Sequence, residues 1–133
     1  MQEFDLDHQR ISLPDADNGF PRVLTLSGHA SEVRLSLEIT TDLNWFHGHF
    51  PDQPVLPGVI QLHWAVLVAQ ACFELSGIPA EIKRLKFKKI ITPPGTLDLA
   101  VTLHAENEVR FGFDDAGAQY SEGRLVFSGE TAC

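Results

Sequence analysis

The sequence is poor in positive charge and in cysteine. Ten Lys and Arg stand against 18 Asp and Glu, which gives a formal net charge of −8. Phosphate contacts need clustered Lys and Arg, so this balance argues against general nucleic-acid binding. The two cysteines, Cys72 and Cys133, have neither metal-ligand spacing nor the number that a disulfide framework needs. Neither is expected to carry the function.

The sequence also lacks a secretory signal and a membrane span. Its first ten residues, MQEFDLDHQR, contain no basic region followed by an apolar stretch. The longest nearly uncharged run, residues 53–73, begins in a proline loop and therefore predicts a buried helix. Its polar members are Gln53, Gln61, His63 and Gln70. We expect a cytoplasmic protein whose 133 residues, 44% of them apolar, form one compact domain over 1–133.

The hydrophobic pattern predicts one helix among strands. Residues 59–75 are apolar almost all round, which is typical of a helix enclosed by other elements, and Gly77 and Pro79 predict its end. Alternating apolar residues predict strands at 22–30, 31–40, 82–91, 96–105, 108–114 and 119–128. An antiparallel sheet that covers one helix curls around it, so the predicted fold is α+β with the helix as its core.

Rigid and titratable residues concentrate just before this helix. The segment FHGHFPDQPVLPGVIQLHWA, residues 46–65, contains three histidines and three prolines. Proline and glycine fix the backbone path, so the segment is typical of a loop that holds its side chains still. We therefore expect the functional site here.

A second unusual segment is basic. Five of the ten basic residues lie within residues 83–89 of IKRLKFKK. In a strand, Leu85 and Phe87 would face one side, and Arg84, Lys86 and Lys88 the other. The pattern is compatible with a solvated edge that lysines protect from aggregation, or with a docking surface for an anionic partner.

Two motifs carry a resemblance to a known family. GHFPDQPVLPGV leads into the helix, and KFKKIITPPGTL opens the later strands. With the strand order, they resemble the hotdog-fold β-hydroxyacyl-acyl-carrier-protein dehydratases of the FabZ/FabA type over residues 22–128. The version PGVIQLHWA is most similar to the dehydratase-like proteins of aryl-polyene pigment biosynthesis.

The resemblance implies a set of site residues. His49 would be the catalytic histidine, because imidazole exchanges protons near neutral pH. Pro57 and Gly58 stand where the helix begins, and backbone N–H groups there can polarise a thioester carbonyl without a metal or another cofactor. Substrate contacts are expected from Phe50, Pro57, Gly58, Val59 and Trp64.

His63 departs from the family pattern. The family has Glu or Asp five residues after the glycine of PG, where it handles the leaving hydroxyl, and this chain has histidine. Histidine can exchange a proton or hold a water, so His63 is expected to be the second catalytic residue; the alternative is a core histidine bonded to a carbonyl. Gln70, seven residues on, is expected to face the same side. A zinc site of His47, His49 and His63 is a weaker alternative, and no metal is expected.

Three functions remain open at this point. The first is dehydration of a 3-hydroxyacyl thioester on acyl carrier protein, with Arg84, Lys86 and Lys88 docking the acidic carrier. The second is a hotdog thioesterase, and the third is a non-catalytic subunit that binds acyl chains or completes another hotdog protein's site. The resemblance implies a homodimer or higher hotdog oligomer, or assembly with another hotdog protein.

Overall fold

The computed structural model describes residues 1–6, 9–15, 17, 19–29, 31–43 and 54–128. Within these ranges the chain forms one helix and eight strands. The helix is α1 (Gly58–Phe73). The strands are β1 (Gln2–Leu6), β2 (Gln9–Leu13), β3 (Arg22–His29), β4 (Glu32–Ile39), β5 (Pro79–Phe87), β6 (Gly95–Ala105), β7 (Glu108–Asp115) and β8 (Ala118–Phe127).

Six strands form one antiparallel sheet in the order β3-β4-β6-β7-β8-β5. Residues paired across neighbouring strands, such as Leu35 with Leu99 and Val109 with Leu125, are buried on the same face. These residues form one apolar cluster with the buried side of α1. The predicted α+β architecture is therefore confirmed, because period-two alternation places one face of each strand on the helix.

The N-terminal hairpin of β1 and β2 was not predicted. Its strands are only five residues long, and charged residues interrupt their apolar pattern. Ile11 and Leu13 are nevertheless buried in the main core. The Gln2 side chain fastens the hairpin to the sheet, since its Nε2 donates to the carbonyls of Pro14 and Pro21 and its Oε1 accepts from the Val23 N–H.

The ends of α1 and β5 differ from their predicted positions. The helix ends at Phe73 and is followed by Glu74 in the left-handed region at φ 54°, so Gly77 comes too late to end it. β5 starts at Pro79 rather than at residue 82, because proline is tolerated as the first residue of an edge strand.

The predicted enclosure of α1 holds on one side only. Trp64, Ala65, Val68 and Ala69 face the sheet and are fully buried. On the opposite side His63 is exposed and Val59 is 68% exposed, so the expectation of a helix covered all round is wrong for the single chain. Within the described residues, no helix is both long and apolar enough to cross a membrane.

Candidate active site

The start of α1 is held in place while its first N–H groups stay available. Pro57 is the N-cap, with φ −61° and ψ 145°, and no side chain caps this end of the helix. The Leu56 N–H donates to the Ile91 carbonyl at 2.8 Å, which ties the preceding loop down. Within the described part of the chain, the N–H groups of Gly58 and Val59 have no acceptor. Such groups carry the positive end of the helix dipole and favour a developing negative charge.

Gly58 lies directly against a neighbouring ring. A Cβ at Gly58 would lie 2.7 Å from Cζ of Phe87, closer than packed atoms come. The Phe87 ring therefore occupies the space that the missing side chain leaves. The packing of Phe87, at the end of the basic segment, against the start of α1 was not predicted, because the two residues are far apart in the chain.

His63 lies in a surface groove rather than in the core. The groove has a volume of about 550 Å³, and α1 contributes His63, Leu67, Gln70 and Ala71 to its lining. The expectation that Gln70 faces the same side as His63 is confirmed. The alternative that His63 is a core histidine is wrong, because its side chain is exposed.

The rest of the groove wall comes from the N-terminal part of the chain, through Met1, Ser12 and Pro14. This wall was not predicted, since the hairpin itself was not predicted. Gln70 Nε2 donates to the Gly77 carbonyl at 2.6 Å, which fixes that amide at the edge of the groove.

The proposed catalytic residue His49 and the proposed substrate contact Phe50 lie outside the described residues. The same holds for His47 of the zinc alternative. His49 and Phe50 therefore stay predictions from the sequence.

Trp64 is a core residue in this chain. Its side chain is fully buried, its Nε1–H donates to the Gly19 carbonyl at 3.1 Å, and its ring meets Phe20 edge to face at a centroid distance of 5.9 Å. These contacts join α1 to the segment before β3 and explain the burial of an indole N–H. The expected substrate contact of Trp64 stays a prediction.

The basic segment contributes to a depression shared by three strands. Arg84 and Lys86 of β5 line it together with Arg110 of β7 and Arg124 of β8, and its volume is about 330 Å³. A bulge between Lys83 and Lys86 shifts the register, and Arg84 there has a φ of 51°. Lys86 pairs with outward-facing Glu122 and Phe87 with buried Ser121, so the predicted division of β5 into a basic side and an apolar side is confirmed there.

Arg110 and Arg124 were missed by sequence reasoning because they come from other strands. They stand directly opposite each other across β7 and β8. Arg124 is paired with Glu108 at 3.6 Å and Glu122 also lines the depression, so its positive charge is partly compensated, and Arg84, Lys86 and Arg110 supply the rest. Lys88 borders it, with Nζ 2.6 Å from Oε1 of Gln119 and 3.5 Å from a carboxylate oxygen of Glu122.

Cys72 is a half-buried free thiol on α1. Burial raises the pKa of this thiol to about 11, so it is protonated near neutral pH. A protonated thiol is a poor nucleophile, which agrees with the expectation that Cys72 takes no part in the chemistry.

Comparison with known proteins shows the family of this chain. The sequence model of the ApeI-like family, described as ApeI dehydratase, matches residues 26–124. The chain belongs to this family. The family is one of dehydratases with the hotdog fold, so the predicted resemblance and the predicted fold are both confirmed.

A solved structure and two curated proteins support the assignment. The dehydratase heterocomplex ApeI:P from Xenorhabdus doucetiae is similar with a TM-score of 0.74 and 29% identity, over 80% of this chain and 96% of that one. The FabZ 3-hydroxyacyl-[acyl-carrier-protein] dehydratase of Clostridium perfringens is 31% identical over 114 residues, 75% of this chain and 76% of that protein. Its Legionella pneumophila counterpart is 35% identical over 78 residues, and there the chain spans about half the length of the relative.

Proposed function

We propose that the chain dehydrates a 3-hydroxyacyl thioester carried by acyl carrier protein, giving the trans-2-enoyl thioester and water in fatty-acid or polyketide-type biosynthesis. His49 takes the proton from the carbon next to the thioester carbonyl. The C–H electron pair forms the new double bond as the bond from the next carbon to its hydroxyl breaks. His63 donates a proton to the departing hydroxyl, which leaves as water.

The observation that carries this proposal is the position of His63. It stands where the family pattern has a carboxylic acid, and it lines an open groove beside Gln70. Imidazole can replace a carboxylic acid as a proton donor. At the start of the same helix, the available N–H groups of Gly58 and Val59 suit the negative charge that develops on a thioester oxygen when the neighbouring carbon loses its proton.

The basic depression supports docking of the carrier. Arg84 and Lys86, with Lys88 at its border, were predicted for this role, and Arg110 and Arg124 extend the surface. The whole chain carries a formal charge of −8, so a cluster of this kind is a local exception that can orient an acidic partner. Relatives named FabZ act on acyl-carrier-protein substrates by name, and we propose the same carrier class and a cytoplasmic location here.

The uncovered side of β5 supports a dimer. β5 is an edge strand of the sheet, and its helix-facing residues Ile82, Leu85 and Phe87 are exposed. An exposed apolar edge strand is a ready site for pairing with another strand. We propose that β5 pairs with β5 of a second copy, so that one sheet continues across both chains and the two helices lie side by side.

Two facts favour a second candidate function. The similar Xenorhabdus protein is titled a dehydratase heterocomplex, and this chain lacks the family carboxylate at His63. Both facts fit a subunit that completes the site of a different hotdog chain. In that case the purified chain would bind acyl thioesters without turning them over.

An assay on synthetic 3-hydroxyacyl-carrier substrates tests the proposed reaction. We expect an enoyl thioester to form with no release of free carrier, whereas a thioesterase would release carrier and a non-catalytic subunit would do neither.

In a folded His49→Ala variant, turnover should fall about 100-fold or more, as loss of a general base does. A folded variant with wild-type turnover would show that His49 is not the base.

A charge-reversal experiment tests the docking surface. Lys86→Glu should raise the apparent KM for the carrier-bound substrate about threefold to tenfold and leave the KM for a small thioester unchanged, because surface charge acts mainly on encounter. Arg34→Glu is the matched control, since Arg34 lies on β4 and forms its ion pair with Glu32. If Lys86→Glu and Arg34→Glu act alike, or if both substrates respond alike, the carrier does not dock there.

A further inference from the structure

Two polar side chains are buried inside an otherwise apolar core. Within the described residues, Gln61 of α1 (3% exposed) and Ser121 of β8 (0% exposed) are the buried residues of polar type. The Ser121 hydroxyl donates to Oε1 of Gln61 at 2.7 Å, and Nε2 of Gln61 donates to the Leu56 carbonyl at 3.3 Å. Apolar residues could fill the space of the two side chains, but the buried Leu56 carbonyl would then lose its donor, so the pair serves this carbonyl.

The direction of both hydrogen bonds is fixed by the backbone. The Leu56 carbonyl can only accept, so the NH₂ group of Gln61 must face it. Oε1 of Gln61 then faces Ser121, whose hydroxyl has to donate. Ser121 therefore holds the amide of Gln61 in the one orientation that binds the loop before the helix.

Both backbone polar groups of Leu56 are hydrogen-bonded in this way. Its N–H donates to the Ile91 carbonyl at 2.8 Å, and its carbonyl accepts from Gln61. The next residue, Pro57, has no N–H and a fixed φ, so the path from Leu56 to Gly58 has little freedom left.

The residue paired with Ser121 in the sheet also contacts the first turn of α1. Ser121 pairs with Phe87 across β8 and β5, and the Phe87 ring packs on Gly58. Hydrogen bonding through Gln61 and packing through Phe87 thus fix the first turn of α1 relative to one point of the sheet.

We infer that Gln61, oriented by Ser121, is a positioning residue that sets the direction of the available N–H groups of Gly58 and Val59. The inference rests on the proposed function, in which these groups stabilise the charge on the thioester oxygen. Such stabilisation depends on donors held in place before the reaction, and a displacement of a fraction of an ångström weakens it.

The double variant Gln61→Met/Ser121→Ala tests the inference, since it replaces both polar groups with apolar ones of similar volume. We expect the double variant to fold but its midpoint of unfolding in urea to fall, because the buried Leu56 carbonyl loses its donor. Its kcat should fall about 10-fold or more while KM stays within about twofold, because the lost contact acts in the transition state. A folded double variant with wild-type kcat would overturn the inference.

Amide hydrogen exchange gives a readout that does not depend on activity. The Leu56 N–H should exchange about 10-fold faster in the double variant, while the N–H of Val101 in the central strand β6 keeps its rate. Unchanged Leu56 exchange overturns the inference even if kcat has fallen. Faster Leu56 exchange in a chain whose wild type forms no enoyl product would overturn the proposed function and leave the positioning role intact.

Two further variants complete the test. Ser36→Ala is the matched control, because the Ser36 hydroxyl donates at the same 2.7 Å distance to Asp98 but on the exposed face of the sheet. Its kcat and Leu56 exchange should match those of the wild type. If the double variant does not fold, Ser121→Cys replaces the hydroxyl with a weaker donor of nearly the same size. Its kcat should fall about threefold, and wild-type kcat together with wild-type Leu56 exchange would overturn the inference.

Discussion

The two sides of α1 differ in what surrounds them. The closed side, formed by Gln61, Trp64, Ala65, Val68 and Ala69, is buried against the sheet, with one hydrogen bond to β8 and one to the segment before β3. The open side carries Val59 and His63, which are exposed. The closed side positions the helix, and in the proposed function the open side faces the substrate and a second chain.

This division explains why the helix sequence is apolar almost all round. A helix that serves only its own chain needs one apolar side, with polar residues opposite. Here leucines and valines continue around to the open side, and several of them are only half-buried, such as Leu62, Val66 and Leu67. An apolar surface of this kind on a single chain marks an interaction site.

Removal of the largest side chain on the closed side should have the largest effect. Trp64→Ala leaves a cavity and removes the bond to the Gly19 carbonyl, so we expect a loss of about 3–5 kcal/mol in the free energy of unfolding. Urea denaturation followed by circular dichroism measures it. Trp64→Phe, which keeps the ring contact with Phe20, should lose less. If Trp64→Ala is no less stable than Trp64→Phe, the closed side does not hold the helix as described.

Substitution of His63 on the open side should change activity and leave stability unchanged. We expect His63→Ala to lower kcat about 100-fold with an unaltered unfolding midpoint, as loss of a proton donor at an exposed position does. His63→Glu restores the family residue and should keep substantial activity.

His63→Gln separates proton transfer from simple hydrogen bonding. Glutamine can hold a water or a substrate hydroxyl but does not titrate. Its kcat should therefore resemble that of His63→Ala, and its pH–rate profile should lack one limb of the wild-type profile. If His63→Gln is as active as the wild type, His63 only positions water or substrate.

Charge on the uncovered part of β5 should break the proposed dimer. Ile82, 46% exposed, pairs with buried Leu125 and so faces the helix side of the sheet. Ile82→Glu would bury a carboxylate in each half of the interface, so we expect the dimer dissociation constant to rise about 100-fold, as measured by analytical ultracentrifugation.

Leu24→Glu is the control for the dimer interface, because Leu24 is 40% exposed on β3 at the opposite edge of the sheet. It should leave the dissociation constant unchanged. Equal effects of the two substitutions would place the interface elsewhere. A wild-type chain that is monomeric at micromolar concentration and fully active would rule out the dimer.

Cys72, between the two sides, should show the smallest effect. Burial raises the pKa of its thiol to about 11, so at pH 8 the folded protein holds far less thiolate than the unfolded chain. We expect alkylation of Cys72 by iodoacetamide, read by mass spectrometry of its peptide, to be about 10-fold slower or more in the native protein than in urea. Equal rates would mean that α1 does not bury the thiol.

Much of the fold could be predicted because its signals are local. Val33, Leu35, Leu37 and Ile39 alternate with polar residues in one strand, and the structure buries all four. The N-terminal hairpin was missed because five-residue strands with charged members give no strong periodicity. What buries Ile11 and Leu13 is their contact with the core, which no local pattern reveals.

In the candidate site too, some features could be predicted from local sequence and others could not. The proline and glycine residues before α1 indicated the location, and the spacing from Gly58 to His63 indicated the second histidine. The contact of Phe87 with Gly58 and the grouping of Arg110 with Arg84 could not be foreseen, because each joins residues from strands far apart in the chain.

The sequence by itself determined the helix, its start after Pro57 and the alternation of the central strands, since these depend on the backbone preferences and periodicity of neighbouring residues. Only the tertiary structure decided which strands are neighbours, where the bulge in β5 turns Arg84 and Lys86 toward Arg110 and Arg124, and that Ser121 meets Gln61 sixty residues away. The reason is physical: pairing and register of distant strands are set by the burial of the whole core, and no short segment contains that information.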